Sequence, residues 1–307
     1  MKKTILITGA NGFLGSYFLS FLGEKKDIKI YGVSLSFKNQ PRSNLFACDL
    51  LRPKEFQSVL QRIKPSYIFH FAGGRYVNDQ QTFDANFLTT KNLFESIKVL
   101  GLGRKTRVII PGSAAEYGNI ETKNKIVENC LPKPMGWYGF VKLLQTQLGV
   151  FYAQQDFDVV IVRMFNVSGA CSPISLALGG FAKQIVDIEN GADPVIKTKN
   201  LDGQRDFLDV KDVCRGLWAV ALKGKSGQIY NLCSGRSSTI RDLLQQLLQY
   251  STFKGIKIKE NKDRASLSFD VIGSNKKIRL ATQWASQVSL QQSLKNTLES
   301  YRKMSRN

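Results

Sequence analysis

The fold is decided near the start of the chain, by the segment Thr8-Gly9-Ala10-Asn11-Gly12-Phe13-Leu14-Gly15. This segment follows an apolar run typical of a buried strand and opens a helical pattern. Glycines at every third position allow a tight turn, a close backbone approach to a phosphate, and close packing of helix on strand. The N-terminus of the helix adds free N–H groups that attract an anion. The segment therefore predicts a dinucleotide-binding βα unit, with contacts from Gly9, Asn11, Gly12, Phe13, Leu14 and Gly15.

Beyond this unit, short apolar runs alternate with longer helical patterns. The predicted strands are Lys3–Thr8, Ile28–Ser34, Asn44–Cys48, Tyr67–His70, Arg107–Pro111 and Val159–Met164. The predicted helices are Phe13–Leu22, Pro53–Ile63, Asp84–Leu100 and Trp137–Gln154. Strands separated by helices imply crossover connections and a parallel sheet. The pattern predicts a doubly wound α/β fold of the Rossmann type.

The second half of the chain is richer in glycine, proline and polar residues. Its predicted helices are Phe181–Glu189, Val210–Leu222, Thr239–Tyr250 and Ser289–Arg302. We expect a smaller C-terminal α/β lobe that binds the substrate. The expected division gives residues 1–165 and about 205–234 to the dinucleotide domain, and residues 166–204 and 235–307 to the substrate lobe.

The end of the second strand bears on which dinucleotide binds. An enzyme that uses NAD often carries an acid there for the ribose 2′-hydroxyl. The segment from Ser34 to Lys38 has no acid, and Ser34, Ser36, Lys38 and Arg42 are suited to a 2′-phosphate. The composition favours NADP(H) and leaves NAD(H) open.

Two further strand ends are predicted to border the dinucleotide. Asp49, followed by Leu50, is placed to accept from the adenine amino group, although a loop acid that caps the next turn is the alternative. Phe71, Ala72 and Gly73 leave room for the cofactor at the end of the fourth strand. His70, the single histidine, lies in an apolar strand and is expected to be a packed core residue.

Three residues make up the predicted catalytic group: Ser113, Tyr138 and Lys142. Ser113 follows the fifth strand, at the carboxyl edge where α/β sheets bind ligands. The i,i+4 spacing places Tyr138 and Lys142 on one helix face. A tyrosine whose pKa is lowered by an ammonium can exchange a proton with a ketone oxygen, and a serine hydroxyl can orient that oxygen. The pattern predicts hydride chemistry at a carbonyl.

These motifs resemble the extended short-chain dehydrogenase/reductase family, which includes nucleotide-sugar epimerases, dehydratases and reductases. The resemblance covers nearly the whole chain and includes Asn86 and the segments 163–166 and 205–212. It implies that Asn166 and Arg205 lie against a sugar nucleotide. An arginine fork also suits a diphosphate on physical grounds, with pairing to Asp206 or Asp209 as the alternative.

Three segments of the second half are similar to the GDP-4-keto-6-deoxy-mannose reductases and the related GDP-mannose 4,6-dehydratases of that family: residues 180–189, 230–235 and 272–277. This similarity implies a GDP-linked sugar, with Arg264 on the diphosphate and Lys183 near a phosphate. Ala265 and Leu267 depart from the family pattern, which leaves the exact sugar open.

The residues after the fifth strand favour one reaction within the family. In related dehydratases a carboxylate base lies two residues before the tyrosine of a Tyr-Gly pair, and here that position is Ala115. Glu116 is expected to face the other side of an extended segment. The resemblance thus implies reduction of a C4 ketone without dehydration. A 4-epimerase, a 4-ketoreductase of another nucleotide sugar, and a non-catalytic binding protein remain alternatives. Trp137 either narrows the sugar pocket or packs structurally.

Composition sets the wider expectations. The chain has 307 residues, five widely spaced cysteines and a formal net charge of +20. The cysteines indicate no disulfide framework and no metal site, and they favour the cytoplasm. No apolar run is long enough to span a bilayer. The charge accompanies no recognisable nucleic-acid module, so we expect an anionic small-molecule substrate and no nucleic-acid partner. The resemblance also implies a homodimer.

Overall fold

The computed structural model describes residues 3–37, 43–120, 124–261 and 271–306. Lys38, Arg42 and Arg264 lie outside these ranges, as do Ala265 and Leu267. The expectations for these residues therefore stay predictions.

The chain forms thirteen strands and ten α-helices within the described ranges. The strands are β1 Lys3–Thr8, β2 Ile28–Ser34, β3 Leu45–Ala47, β4 Tyr67–His70, β5 Arg107–Ser113, β6 Asp158–Met164, β7 Asn166–Ser168, β8 Val195–Lys199, β9 Gln204–Arg205, β10 Phe207–Asp209, β11 Ile229–Leu232, β12 Ser238–Thr239 and β13 Lys257–Asn261. The helices are α1 Phe13–Gly23, α2 Pro53–Ile63, α3 Asp79–Phe83, α4 Thr89–Val99, α5 Trp137–Ala153, α6 Ala177–Glu189, α7 Val210–Lys223, α8 Ile240–Gln249, α9 Lys276–Thr282 and α10 Leu290–Arg306.

Seven strands make one parallel sheet in the order β11-β6-β5-β4-β1-β2-β3. The strand order reverses at β1, and ligands of such sheets bind outside the carboxyl ends of the strands at this point. The segment after β1 and the end of β4 both lie there. The predicted doubly wound α/β fold is confirmed.

Both faces of the sheet are covered, which explains why its strands are apolar without alternation. Ile5, Leu6 and Ile7 of β1 have no exposed surface. One face packs against α1 and α7, and the other packs against α2, α4 and α5. The central sheet is therefore a rigid base for the loops at its carboxyl edge.

A long predicted helix differs from the observed one. Helical structure begins at Asp79, five residues before the predicted start at Asp84, because the Asn78 side chain caps the first turn by accepting from the Gln81 N–H. Residues Asp84–Leu88 then form a π turn between α3 and α4. Such turns within α-helices are frequent at functional sites.

The C-terminal part has its own apolar core, formed chiefly by α6, α8 and α10. Three small two-stranded sheets join β7 with β10, β9 with β12, and β8 with β13. β11 adds to the edge of the central sheet, whereas β9 and β10 do not. The expected limits of the two lobes stay a prediction. In the part of the chain that is described, no helix is both long and apolar enough to cross a bilayer.

An ion pair fixes the last helix to this core. Arg302 of α10 donates through Nε and Nη2 to the two carboxylate oxygens of Glu189, at 2.8 and 2.6 Å. Thr252 N–H adds a third bond at 2.9 Å. The bonds from Arg302 are the main cause that lowers the pKa of Glu189 from 4.5 to about 2.

We expect Glu189→Gln to lower the free energy of unfolding by roughly 2 kcal/mol at neutral pH. Because the pKa is lower in the folded chain, this stability is present in full above the ordinary pKa and is lost as pH falls from 4.5 towards about 2. Urea unfolding of wild type and variant over this range should show the difference shrinking in acid. Glu299→Gln is the matched control: its carboxylate also pairs with Arg302 but is 56% exposed, so its loss should stay below about 0.5 kcal/mol. A difference that is constant with pH would contradict the assignment.

Candidate active site

The glycine segment between β1 and α1 has the geometry of a phosphate cradle. Gly9 has φ of +64°, and a Cβ atom there would lie 2.6 Å from the Phe71 carbonyl oxygen. A Cβ atom on Gly15 would lie 2.2 Å from the Gly9 carbonyl oxygen. Neither position can take a side chain without movement of the backbone. Both the turn and the close packing that a dinucleotide site requires are thus present, with Phe13 and Leu14 in the first turn of α1.

The end of β2 is tied to this cradle. The Ser34 hydroxyl donates to Asn11 Oδ1, and Asn11 Nδ2 donates to the Ser36 carbonyl oxygen at 2.8 Å. Ser34 is buried and Ser36 is exposed. Ser34 therefore shapes the loop, while Ser36 is open to solvent next to Asn11.

Asp49 caps a turn, which is the alternative role considered for it in the sequence analysis. Its Oδ1 accepts from the Leu51 N–H at 2.9 Å, which caps the turn before α2. Leu50 is buried beside it. Contact of Asp49 and Leu50 with adenine stays a prediction.

The end of β4 is held by Asn86 of the π turn. Asn86 Nδ2 donates to the Gly74 carbonyl oxygen at 2.7 Å, and its Oδ1 accepts from the Gly74 N–H at 3.2 Å. A Cβ atom on Gly73 would lie 2.6 Å from Asn86 Oδ1. Phe71 packs edge-on against Phe18, and Ala72 N–H donates to Thr8. This bracing fixes the carboxyl end of β4 next to the glycine cradle.

The three predicted catalytic residues come together at the carboxyl end of β5. Ser113 is the last residue of that strand, and Tyr138 and Lys142 lie in the first turns of α5. The Ser113 hydroxyl lies close enough to the Tyr138 phenol to act on its pKa. Lys142 is buried, and its ammonium donates to the Pro111 carbonyl oxygen at 2.5 Å and to Gln145 Oε1. A hydroxyl pair with an ammonium behind it is suited to proton exchange with a bound oxygen.

The pKa of Tyr138 differs from the expectation. Burial raises the pKa of Tyr138, and Glu116 acts in the same direction, whereas the Ser113 hydroxyl and the charge of Arg75 lower the pKa. The expected lowering of the pKa by Lys142 is therefore wrong for the chain alone. Burial lowers the pKa of Lys142 to about 8, against the opposing charge of Glu116.

A chain of buried hydrogen bonds continues behind Lys142, and the sequence did not indicate it. Gln145 Nε2 donates to the Thr90 hydroxyl at 2.7 Å and to the Asn86 carbonyl oxygen at 3.1 Å. His70 lies 3.0 Å from Thr90 Oγ1 through Nε2 and 2.9 Å from Thr8 Oγ1 through Nδ1. The i,i+3 spacing of Lys142 and Gln145 was the one available signal.

His70 is the packed core histidine that the sequence indicated. It has no exposed surface, and burial with the nearby Lys142 lowers its pKa to about 3. The His70 imidazole is therefore neutral, bonds two threonines and has a structural role.

The segment after Ser113 is a 3₁₀ turn over Ala114–Glu116 and is not extended as expected. Glu116 is nevertheless directed away from solvent, because its carboxylate bonds the Ser113 N–H and the Arg163 guanidinium. The Ala115 carbonyl oxygen lies against α5, 2.4 Å from where a Cβ atom on Gly139 would be.

The predicted substrate residues have these positions. Asn166 of β7 donates to the Asp206 carbonyl oxygen at 3.1 Å, and Arg205 Nη1 donates to the Gln204 carbonyl oxygen at 2.9 Å. Lys183 is half exposed on α6 and pairs with Asp187 at 2.5 Å. Substrate contacts of these residues stay predictions.

Asp206 and Asp209, the carboxylates considered as partners of Arg205, accept hydrogen bonds from other residues. Asp206 accepts from the Ser234 N–H at 2.8 Å and from the Gly235 N–H at 2.9 Å. Asp209 caps α7 and accepts from Ser293 Oγ at 2.6 Å. Both carboxylates serve to join segments of the fold.

The Trp137 indole N–H donates to the Asp79 carbonyl oxygen at 2.8 Å, and its ring packs on Phe140. These contacts favour the packing role for Trp137. Among the described residues, no group of three or more histidine, cysteine, aspartate or glutamate side chains is arranged to hold a metal ion.

Comparison with known proteins agrees with this geometry. The model of the NAD dependent epimerase/dehydratase family matches residues 5–233. A GDP-6-deoxy-D-talose 4-dehydrogenase of Aggregatibacter actinomycetemcomitans is 30% identical over 260 residues, which cover 84% of this chain and 83% of that protein. A GDP-6-deoxy-D-mannose reductase of Pseudomonas aeruginosa is 26% identical over 311 residues, which cover 98% of each.

Among solved structures, RMD from Pseudomonas aeruginosa complexed with NADPH superposes with a TM-score of 0.88 at 26% identity, covering 98% of this chain and 99% of that one. A UDP-glucose 4-epimerase of Thermotoga maritima reaches the same TM-score of 0.88 at 22% identity, over 98% and 99% of the two chains. The second likeness concerns the fold alone.

We expect Gly15→Ala to lower the affinity for NADPH by about tenfold or more, because the new methyl group would displace the Gly9 carbonyl and distort the cradle. Gly23→Ala, at the other end of α1, is the matched control, since its Cβ atom would meet no atom within 4 Å. Fluorescence titration with NADPH measures both. Equal affinities in the two variants would show that the cradle does not hold the dinucleotide.

Proposed function

The chain belongs to the NAD-dependent epimerase/dehydratase family and is an NAD(P)-dependent oxidoreductase of nucleotide sugars; we propose that it reduces the C4 ketone of a nucleotide-diphosphate 4-keto-6-deoxy-hexose. The observation that carries this proposal is the grouping of Ser113 at the end of β5 with Tyr138 and the buried Lys142 in the first turns of α5. This group and the glycine cradle lie at the same carboxyl edge of the sheet, with β4 between them. This arrangement fits proton transfer to an oxygen whose carbon receives hydride.

The residues of the chain divide the work in the following way. Tyr138 donates a proton to the C4 oxygen, and Ser113 orients that oxygen. Lys142 holds positive charge beside them and keeps one donor for a ribose hydroxyl. A dinucleotide bound on the cradle supplies hydride from the nicotinamide. Removal of water from this pocket strengthens each of these electrostatic contacts.

Two features support reduction without dehydration. Ala115 offers no carboxylate, and Glu116 is occupied by Ser113 and Arg163. Elimination of water from the sugar needs a base next to the ring, and the 3₁₀ turn presents none.

We propose a GDP-linked sugar, with GDP-4-keto-6-deoxy-D-mannose as the first choice. Two relatives named above act on GDP-linked 6-deoxyhexoses, one of them explicitly as a 4-dehydrogenase. The formal net charge of +20 suits a dianionic diphosphate. Asn166, Lys183, Arg205 and Arg264 are the proposed contacts with that substrate.

A panel of GDP-, dTDP-, CDP- and UDP-linked 4-keto-6-deoxy sugars with NADPH tests this proposal by the loss of nicotinamide absorbance. We expect the GDP sugar to react fastest, and NMR then gives the C4 configuration of the product.

We expect Tyr138→Phe to lower kcat by about a hundredfold or more while NADPH still binds. Conversion of a sugar nucleotide to its C4 epimer without net loss of NADPH would identify a 4-epimerase instead. No turnover of any sugar nucleotide, with cellular function retained in Tyr138→Phe, would favour a binding protein.

We also propose that NADP(H) is preferred over NAD(H). The segment from Ser34 to Phe37 has no carboxylate, so a 2′-phosphate meets no repulsion there. The exposed Ser36 next to Asn11 supports this preference.

We expect Ser36→Asp to lower the ratio of kcat/KM for NADPH over NADH by about tenfold or more, because a carboxylate repels the 2′-phosphate and accepts from a 2′-hydroxyl. Ser36→Asn has nearly the same shape without the charge and should leave the ratio near that of wild type. Steady-state kinetics with both cofactors measures the ratio. An unchanged ratio in Ser36→Asp would place the discriminating residues elsewhere.

We propose a homodimer formed through α4 and α5. Apolar side chains on the outer faces of these helices support it: Val99 is 69% exposed, Phe151 51% and Phe140 43%. We also propose a cytoplasmic location, which suits the five free cysteines.

A further inference from the structure

Glu116 is a buried carboxylate for which the reaction above has no role. It has no exposed surface and ends the 3₁₀ turn that follows β5. Its Oε1 accepts from the Ser113 N–H at 2.7 Å, and its Oε2 accepts from Arg163 Nε at 2.7 Å. Burial of a carboxylate is costly, so its position next to Ser113 calls for a reason.

The bonds of Glu116 are those of an ionised carboxylate. Burial is the largest influence and leaves the pKa of Glu116 above its ordinary value, although Arg163, the Ser113 N–H and Lys142 act against this rise. Each oxygen accepts from an N–H donor, and the guanidinium is always charged. Arg163 is itself buried and lies 4.6 Å from the Tyr117 ring centre. The pair is thus a fixed negative charge with a fixed partner.

Glu116 also immobilises Ser113 mechanically. The Ser113 hydroxyl accepts from the Ala115 N–H at 3.2 Å, while Glu116 accepts from the Ser113 N–H, so the two residues form a reciprocal capping box. The preceding Gly112 leaves the space, because a Cβ atom there would lie 2.7 Å from Glu116 Oε1. The backbone that carries the Ser113 hydroxyl is therefore held on both sides.

The charge of Glu116 reaches the proton-transfer residues. It raises the pKa of Lys142 against the effect of burial, and it raises the pKa of Tyr138. Other titratable or charged groups lie nearby: Arg75 acts on Tyr138, Tyr117 acts on Arg163, and Lys142 acts on His70. Glu128 acts on Tyr117, and its main-chain carbonyl oxygen accepts from Arg163 at 3.4 Å.

We propose that Glu116 is a positioning residue of the active site: its carboxylate holds Ser113 in place and fixes a negative charge in the turn that packs against α5. This inference rests on the proposed roles of Ser113, Tyr138 and Lys142 in reduction. Glu116 acts through these residues and does not touch the substrate.

The direction of its effect on pH dependence follows from charge. Reduction requires Tyr138 to be protonated and Lys142 to be charged, so the rate falls at high pH once either group loses its proton. Removing the negative charge of Glu116 lowers the pKa of both groups. The alkaline limb of the profile of kcat/KM against pH therefore moves to lower pH.

Glu116→Gln separates the charge from the anchoring, because the amide oxygen can still accept from the Ser113 N–H. We expect its alkaline limb to move down by about 1 pH unit. Glu116→Ala also removes the anchor, and we expect its kcat to fall by a further tenfold or so at the pH optimum. The KM for NADPH should change little in both variants, since the glycine cradle is untouched.

Asp212→Asn is the matched control. Asp212 is also fully buried, and it pairs with Arg215 and accepts from the Gln287 and Val288 N–H groups at 2.8 and 2.9 Å. It lies on α7, away from α5. Its loss should lower stability without moving the alkaline limb, so a general effect of losing a buried charge is distinguished from the proposed one.

A double variant keeps the test possible if Glu116→Gln does not fold. Glu116→Gln leaves Arg163 buried without its partner, which destabilises a protein strongly, whereas removal of both charges is often tolerated. Glu116→Gln/Arg163→Met should therefore fold and still show the lower alkaline limb, since the charge near Lys142 is gone.

A readout independent of turnover is the near-ultraviolet absorbance of phenolate, with Tyr138→Phe subtracted in each background. We expect the Tyr138 titration to move to lower pH in Glu116→Gln and in the double variant. A shifted titration without turnover of any sugar nucleotide would overturn the proposed function but not the role of Glu116. Turnover with an unmoved limb and an unmoved titration would overturn the role of Glu116 alone.

Discussion

The burial of the Lys142 ammonium constrains the arrangement of the site more than any other interaction. A buried cation needs fixed acceptors, and here they come from two elements: the Pro111 carbonyl oxygen of β5 and the Gln145 amide of α5. Gln145 is itself held by the Asn86 carbonyl oxygen of the π turn. The hydrogen bonds of the Lys142 ammonium therefore hold β5 against α5, and Gln145 in turn holds α5 against the π turn. The same burial keeps the pKa of Lys142 near 8, where small changes in nearby charge alter its protonation.

Close backbone packing on both sides of this lysine makes the arrangement possible. Gly139 lets α5 approach the turn after β5, and Gly112 leaves room for the Glu116 carboxylate. On the cofactor side, Gly9 and Gly15 let α1 approach the ends of β1 and β4. The proposed sites for a dinucleotide on the cradle and for a sugar ketone at Tyr138 thus lie at the ends of β1 and β5, with only β4 between them.

Much of this was predictable, because local patterns report local structure. Apolar runs separated by amphipathic segments predicted six of the seven central strands to within about two residues, with β11 missed. The spacing of Tyr138 and Lys142 predicted their common helix face. The contacts that the sequence did not reveal are long-range: Gln145 with Asn86, and Glu116 with Arg163. For the chain alone, the lowered pKa expected for Tyr138 was wrong, because burial, which a sequence does not display, outweighs the opposing effects of Ser113 and Arg75. Asp49 illustrates the same point, since a loop acid can cap a turn or face a ligand, and its backbone decides between them.

The π turn at Asp84–Leu88 has a consequence for how this helix is built. A π turn takes one residue more than an α turn, and each residue of a helix advances by about 100° around its axis. The side chains of α3 and α4 are therefore out of phase by about that angle. Thr82 and Asn86 can brace the loop after β4 while Leu93 and Phe94 still pack beneath the sheet. Deleting a single residue within the turn would restore a regular helix, but one of these two faces would then be rotated out of register with its partner.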